Sequence, residues 1–297
     1  MTAALALLLL ACSRKESMPA RSGDCGDCHV QETAEWNSSL HHSSFTDKDF
    51  QASFAVEPEE FCFDCHAPLA SARGDTAGEA RGVGCRSCHV TENGHGAPKT
   101  DCANCHEFAF PRRADPMQST IREHADSELR AVACTSCHMA KLADGHRDHR
   151  FDVSRNTEFM KRALAVNATR TSDGVTIELT PRNVGHKLPT GDLFRRLLVV
   201  VRAESTEGAP LGDEEVVLGR RFEHARSLAH EIADTRLSGP RTIELKGEWL
   251  TGAARITVEV RYERVAQTTE IRDARGGWQR RDSVFAKMVL AERVLER

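Results

Sequence analysis

Hydrophobic and polar residues alternate along the second half of the chain. Val175, Ile177 and Leu179 are separated by Thr and Glu residues, and this period of two is typical of a strand with one buried face. Residues 256–262 repeat the period, and residues 197–201 form an uninterrupted apolar run of strand length. The pattern therefore predicts several short strands after about residue 155.

Further apolar stretches fit the same interpretation. Residues 216–218 and the pair Ile243 and Leu245 predict two more strands, whereas residues 284–295 are compatible with a strand or a short helix. Turn signals containing Gly and Pro separate these stretches. Because short strands at this spacing are typical of a sandwich, we expect residues 156–297 to form an all-β sandwich domain.

The first half of the chain shows little sustained periodicity. It is rich in Gly, Asp, Ser and His, and only short helices are expected there, such as one over residues 119–129 with Ser119 as its N-cap. The expected fold class is therefore α+β with an irregular N-terminal domain, residues 24–155, followed by the sandwich.

One short pattern, Cys-x-x-Cys-His, occurs five times in this irregular half. It is the signature of c-type haem attachment, in which two thiols bond to the haem and the following His binds the iron. The cysteines are Cys25, Cys28, Cys62, Cys65, Cys85, Cys88, Cys102, Cys105, Cys134 and Cys137, and the histidines are His29, His66, His89, His106 and His138. The 17-residue gap between Cys85 and Cys102 predicts that the third and fourth haems lie close together.

Zinc sites and disulfides are the alternatives, because Cys-x-x-Cys pairs also build zinc ribbons. Five pairs do not divide into four-cysteine sites, and neither alternative explains why His follows every pair. We therefore expect residues 24–155 to be a pentahaem cytochrome c domain with five covalently attached haem c groups.

Composition and charge agree with a haem-packed domain. Aromatic residues make up only 5% of the chain, and porphyrins would supply the apolar volume that the first half lacks. The formal net charge is −4 and no basic block stands out, so no nucleic-acid partner is expected.

The N-terminus predicts export. Residues 1–11 read as a signal peptide whose apolar run is too short to span a bilayer. Leu9-Leu10-Ala11-Cys12 resembles a bacterial lipobox, which would lipidate Cys12 and leave residues 12–23 as a lipidated tether. The alternative is an ordinary cleaved signal peptide that includes Cys12. The expected location is the periplasmic face of a bacterial membrane or the cell surface, with the outer membrane favoured and a lipid on Cys12 as the membrane contact.

Several histidines outside the motifs are candidates for the second axial position of the irons. Two His ligands leave no open position and suit electron transfer, whereas a missing ligand leaves a site for substrate. The candidates are His41, His42, His95, His124, His146, His149, His186, His224 and His230.

Parts of the chain resemble the cytochrome c554-like group of multihaem cytochromes. The resemblance rests on Trp36-x-x-Ser39-x-His41, on Gly84-Cys85-x-x-Cys88-His89 with His95-Gly96 behind it, and on His149-Arg150-Phe151. In addition, residues 183–192 resemble a G-H-x-x-P-T-G loop found in β-domains appended to some of these proteins. The resemblance implies that His41, His95, His149 and His186 are distal ligands.

The fifth distal ligand is left open. His124 would complete the set, but in a weak repeat, in which Glu35-Trp36-x-x-Ser39 is echoed by Glu123-His124-x-x-Ser127, it takes the place of Trp36. One iron would be five-coordinate if His124 is not a ligand. His42 and His146 are alternative iron ligands to their near neighbours His41 and His149. His224 and His230 are expected to be solvated.

Three functions are compatible with these residues. The first is an exported electron carrier whose haems, mostly with two His ligands, exchange electrons with other redox proteins or cytochromes. The second is an enzyme that reduces or oxidises a small nitrogen or sulfur oxide at a five-coordinate haem. The third is a subunit of an extracellular cytochrome filament or conduit, in a homo- or hetero-oligomer. Some multihaem reductases have Lys in place of the motif His, but all five motifs here keep their His. Hydroxylamine-oxidising relatives have a tyrosine cross-linked to haem, but the sole tyrosine here, Tyr262, lies far from the motifs in sequence. Both observations favour a carrier over a catalyst.

Overall fold

The computed structural model describes residues 25–56, 58–91, 94–96, 102–109, 116–151, 153–192, 194–225, 228–272 and 278–297. The expected signal peptide, Cys12 and the tether lie outside the described residues. The chain forms two compact units. The first unit comprises Met1–Cys105 and Cys134–Phe151, and the second comprises His106–Ala133 and Asp152–Arg297. The domain boundary near residue 155 stays a prediction.

The helices are short and most lie in the motif-bearing part of the chain. A 3-10 turn at Cys25–Asp27 is followed by α1 (Val30–Asn37), α2 (Lys48–Val56), α3 (Cys62–His66), α4 (Thr76–Arg81), α5 (Cys85–His89), α6 (Ala103–His106), α7 (Thr120–Ala125), α8 (Cys134–His138), α9 (Thr157–Arg162) and α10 (Glu248–Thr251). Two small hairpins, β1 (Val90–Thr91) with β2 (Gly94–His95) and β3 (Glu107–Ala109) with β4 (Pro116–Ser119), complete this part.

Local sequence explains where some of these helices begin. Asp75 caps α4 by accepting a hydrogen bond from the Gly78 amide at 3.0 Å. Asn156 caps α9 by accepting from the Phe159 amide at 2.9 Å. The helix predicted over residues 119–129 is present but ends at Ala125, and the hydroxyl of Ser119 does not cap it.

The remaining strands form two antiparallel sheets. A three-stranded sheet has the order β10 (Arg241–Lys246), β6 (Gly174–Pro181) and β5 (Leu164–Arg170). A five-stranded sheet has the order β12 (Trp278–Glu296), β11 (Arg255–Arg272), β7 (Arg195–Glu204), β8 (Pro210–Ala225) and β9 (Leu228–Asp234). The undecided stretch 284–295 is therefore a strand, paired along its length with β11.

Apolar side chains from both sheets form one core. Ile177 of β6 and Leu197 and Val258 of the larger sheet are fully buried in the same cluster. At the sheet surface, Arg196 and Glu263 face each other across β7 and β11 as a nearly buried ion pair of 2.7 Å. The predicted fold class, an irregular helical part followed by a β-sandwich, is confirmed.

Within the part of the chain that the structure describes, no helix is both long and apolar enough to cross a bilayer.

Candidate haem-binding site

The motifs adopt single helical turns that bring their reactive side chains onto one face. Helices α3, α5 and α8 each begin at the first Cys of a motif and end at its His. In the first motif, the His29 amide donates to the Cys25 carbonyl at 2.9 Å, which closes an equivalent turn. Residues three and four apart lie on one side of a helix, so both thiols and the imidazole of a motif point the same way.

In two of the motif histidines, the ring nitrogen Nδ1 is hydrogen-bonded to a backbone carbonyl. Nδ1 of His66 donates to the Ser44 carbonyl at 2.7 Å, and Nδ1 of His89 donates to the Gly96 carbonyl at 2.8 Å. A carbonyl can only accept, so the proton lies on Nδ1 and the lone pair of the neutral ring lies on Nε2. This is the usual arrangement of a metal-binding histidine.

The second cysteines of three motifs converge within the first unit. The thiol of Cys65 hydrogen-bonds to that of Cys105, which raises the pKa of Cys65 and lowers that of Cys105. Burial, followed by the charge of Cys105, raises the pKa of Cys88. The third and fourth motifs therefore lie close together, and the second motif also adjoins the fourth.

The ring of His149 lies near the ring of a motif histidine. The centroids of the His89 and His149 rings are 6.1 Å apart, and the ring planes are inclined by 34°. Nδ1 of His149 donates to the Arg147 carbonyl at 2.7 Å, so its lone pair is also on Nε2. A first-row metal binds imidazole nitrogen at about 2.0 Å, and two such bonds in line place the ring centres about 6 Å apart. At this spacing, both rings would reach one metal ion.

His41 lies in the same region of the first unit. Its ring packs edge-on against Phe151 with centroids 4.2 Å apart, and Phe151 also packs edge-on against His149. Phe151 has a left-handed backbone, with φ of 51°, a conformation that is uncommon for a bulky residue. The main chain of His41 is fixed as well, because its carbonyl accepts from the Val83 amide at 2.9 Å.

The two competing histidines differ in how their ring nitrogens are used. Both nitrogens of His146 contact carboxylates, with Nε2 3.0 Å from Glu35 and Nδ1 2.6 Å from Asp144. These two hydrogen bonds raise the pKa of His146, so the ring is a poor metal ligand. In contrast, His42 uses Nδ1 to donate to the Asn37 carbonyl at 3.0 Å.

In the second unit, His124 and the loop that carries His186 are in contact. An added Cβ on Gly185 would lie 3.0 Å from Cδ2 of His124, so glycine allows the loop to pack on this ring. Nδ1 of His186 donates to the Lys187 carbonyl at 2.9 Å. Burial lowers the pKa of His186, which favours the neutral form that a metal ligand requires.

Three candidates are not placed by the structure. The backbone of His95 belongs to β2, but its side chain lies outside the described residues, as do the side chains of His224 and His230. His29, His106 and His138 lie in their motif turns as expected from the sequence. The distal assignments of His41, His95, His124, His149 and His186 stay predictions.

Several residues near the motifs were not identified from the sequence. Ser44 bonds His66 twice, since its hydroxyl also donates to the His66 carbonyl at 2.8 Å. Phe50 stacks on the His66 ring with centroids 3.8 Å apart. Glu35 and Glu123 bond the segments that carry His149 and His186. Of these residues, only Glu35 and Glu123 stood out in the sequence, because both belong to the weak repeat.

Comparison with known proteins agrees with this geometry. Residues 24–90, which hold the first three motifs, match the family model described as cytochrome c554 and c-prime. The structure of a penta-heme cytochrome c552 from Thermochromatium tepidum is similar, with a TM-score of 0.69 and 16% identity over 92% of this chain and 97% of that chain. Residues 24–90 thus have the sequence pattern of a multihaem c-type cytochrome family, and the chain has the fold of a penta-heme cytochrome. This likeness to the solved cytochrome extends over both units, whereas the family model covers a minor part of the chain.

Two other comparisons add little. MtrC from Shewanella baltica OS185 is 13% identical over 79% of this chain and 45% of that chain, with a TM-score of 0.18, and supports no argument about this protein. No curated protein sequence matches the chain.

The residues of the motifs fit haem c. Cys134 and Cys137 are free thiols on one helical turn with His138. The Nδ1 hydrogen bonds of His66 and His89 orient their rings for metal binding. The residues present therefore support haem c as the cofactor.

Proposed function

We propose that this protein is an exported electron carrier that holds five haem c groups and exchanges electrons with other redox proteins. When bound, haem c supplies an iron that changes oxidation state by one electron. Ten motif cysteines would attach the five groups, and His29, His66, His89, His106 and His138 would each give one axial bond. Five motifs of one kind support the count of five.

The His89–His149 pair is the observation that carries the proposal. Their ring centroids lie 6.1 Å apart, a spacing at which both rings would hold one iron. Two imidazole ligands leave no open coordination position, which suits transfer of electrons rather than binding of a substrate. The carbonyls of Gly96 and Arg147 hold the two rings in the tautomer that this ligation requires.

His41, His95 and His186 are proposed as distal ligands at three other haems. Support for His41 and His186 comes from their surroundings, since the first packs on Phe151 and the second is buried with Nδ1 bonded to a carbonyl. His124 is proposed as the remaining ligand, and its contact with the Gly185 backbone places it beside the His186 loop.

The test is a spectrum of the oxidised holoprotein by electron paramagnetic resonance, together with the visible spectrum after reduction with and without carbon monoxide. The proposal expects only low-spin haem and no shift on adding carbon monoxide. A high-spin signal from one haem with a carbon monoxide shift would instead show an open iron. It would support an enzyme acting on a small nitrogen or sulfur oxide.

The proposal includes a lipid anchor on Cys12 at the periplasmic face or cell surface, with the outer membrane favoured. It is supported by the lipobox-like run Leu9-Leu10-Ala11-Cys12. Detergent phase partition of membranes from cells that produce the wild type or Cys12→Ala is the test. Recovery of the wild-type protein in the aqueous phase would contradict the lipid anchor. Recovery of the wild-type protein as a polymer would favour the filament alternative.

A further inference from the structure

The two helices of the weak sequence repeat end in the same way. In the first copy, the Ser39 amide donates to the Trp36 carbonyl at 2.9 Å at the end of α1. In the second copy, the Ser127 amide donates to the His124 carbonyl at 3.0 Å at the end of α7. The repeat is therefore structural, and Glu35 and Glu123 occupy equivalent positions in it.

In the first unit, the carboxylate of Glu35 holds the segment that carries His149. Oε2 of Glu35 accepts from the backbone amide of His149 at 2.9 Å. The other oxygen, Oε1, pairs with Nε2 of His146 at 3.0 Å. Both contacts join α1 to residues more than a hundred positions later in the chain, and the side chain of Glu35 is only 12% exposed.

In the second unit, the carboxylate of Glu123 holds the segment that carries His186. Oε2 of Glu123 accepts from the Lys187 amide at 3.3 Å and from the Thr190 hydroxyl at 2.7 Å. Oε1 pairs with the Arg236 guanidinium at 2.7 Å, and both side chains are only 5% exposed. As in the first copy, one oxygen bonds the later segment while the other faces a basic side chain.

We propose that Glu35 and Glu123 are equivalent positioning residues, each of which fixes the segment bearing a distal histidine. The inference rests on the proposed function, because it takes His149 and His186 as iron ligands. Neither glutamate binds iron itself. Each fixes the main chain beside a ligand, and outer partners of this kind tune ligation and metal affinity.

A buried carboxylate suits this task for a physical reason. Its two oxygens accept several hydrogen bonds at once, and bonds to an ionised acceptor are stronger than those between neutral groups. The basic side chain on the second oxygen balances the charge of the carboxylate. The loop is thereby fixed at the backbone while the imidazole remains available to the iron.

The experiment compares full-length holoproteins of Glu35→Ala, Glu123→Ala and Glu35→Gln. Haem content is measured first, so that spectra are compared per haem. In each alanine variant, we expect one haem to lose its low-spin signal and to bind carbon monoxide about 10-fold better than in the wild type. Glu35→Gln keeps an oxygen that can accept from the His149 amide but loses the charge, so its spectrum is expected to lie nearer to that of the wild type than the spectrum of Glu35→Ala does.

Matched controls remove a carboxylate close by in sequence. Glu32 lies on α1 near Glu35, and Glu128 lies on the exposed turn after α7. The variants Glu32→Ala and Glu128→Ala are both expected to keep the wild-type spectrum. Should Glu123→Ala fail to mature, Thr190→Val is the milder variant, because it removes the hydroxyl that donates to Glu123. It is expected to shift the reduction potential of one haem.

The inference is wrong if Glu35→Ala and Glu123→Ala hold all their haem and still show the spectra and reduction potentials of the wild type. It is also wrong if the control variants show changes of the same size. His149→Ala separates this failure from failure of the proposed function. If His149→Ala opens a haem and Glu35→Ala does not, only the positioning role is wrong. If His149→Ala leaves every haem low-spin, the ligation on which the proposed function rests is wrong.

Discussion

The rings of His89 and His149 lie with their centroids 6.1 Å apart, although the residues are far apart in the chain. His89 closes the third motif on α5, and His149 follows the fifth motif. The pair therefore brings together two segments of the first unit that are far apart in the chain. An iron held between the rings would join the same two segments.

Replacing His149 by alanine is expected to open one haem. Because the ring near His89 is removed, the iron of the third motif would lose its second axial ligand and become high-spin. Electron paramagnetic resonance and carbon monoxide binding measure this change. His42→Ala is the control, since His42 lies beside His41 in the sequence and is not a proposed ligand. An unchanged spectrum for His149→Ala, or an open haem in His42→Ala, would contradict the assignment.

Removing both cysteines of one motif is expected to remove one haem. The double variant Cys62→Ala with Cys65→Ala leaves four of the five motifs intact, and covalent attachment requires the thiols. Haem content by pyridine haemochrome absorbance and the intact mass would both fall by one haem per chain. Cys12→Ala is expected to keep the full haem content. Loss of haem from Cys12→Ala, or no loss from the double variant, would refute the count.

The sandwich core is expected to be sensitive to cavity formation. Ile177 is fully buried at the centre of the three-stranded sheet, so Ile177→Ala should lower the free energy of unfolding by about 3 kcal/mol. Chemical denaturation followed by circular dichroism measures it. Thr242→Ala, at an exposed position of the neighbouring strand, should change the same quantity by no more than about 0.5 kcal/mol. Similar losses in both variants would argue against this core.

Asp192 is expected to make the stability of the protein depend on pH. Burial raises the pKa of Asp192, but the charge and the hydrogen bond of Arg195 outweigh burial, so the pKa of this carboxyl is below its usual range. The stabilising contribution is therefore complete above the unfolded pKa of about 3.9 and is lost as the pH falls through the folded pKa.

The measurement compares the free energy of unfolding of wild type and Asp192→Asn across pH. Near neutral pH the variant should be less stable by about 2 kcal/mol, because it loses hydrogen bonds to a charged partner. This difference should begin to shrink below about pH 4. A difference that stays constant down to pH 3, or grows on acidification, would show that Asp192 does not carry the effect.

The sequence by itself determined the features that depend on neighbouring residues. The two thiols and the histidine of each motif lie within one helical turn, so their chemistry can be recognised without knowing the fold. The alternation around Ile177 identifies a strand for the same reason, because the period of two is local. Ser119 marked the start of α7, but local residues did not predict that the helix would end at Ala125.

Only the tertiary structure decided which distant segments meet. Residues 284–295 fit a strand or a helix by pattern, and pairing with β11 made them a strand. The approach of His149 to His89 and the bonds of Glu123 to the His186 loop likewise join residues that no local period relates. The physical reason is that burial and hydrogen bonding select partners in space, whereas a sequence pattern records only the preferences of neighbouring residues.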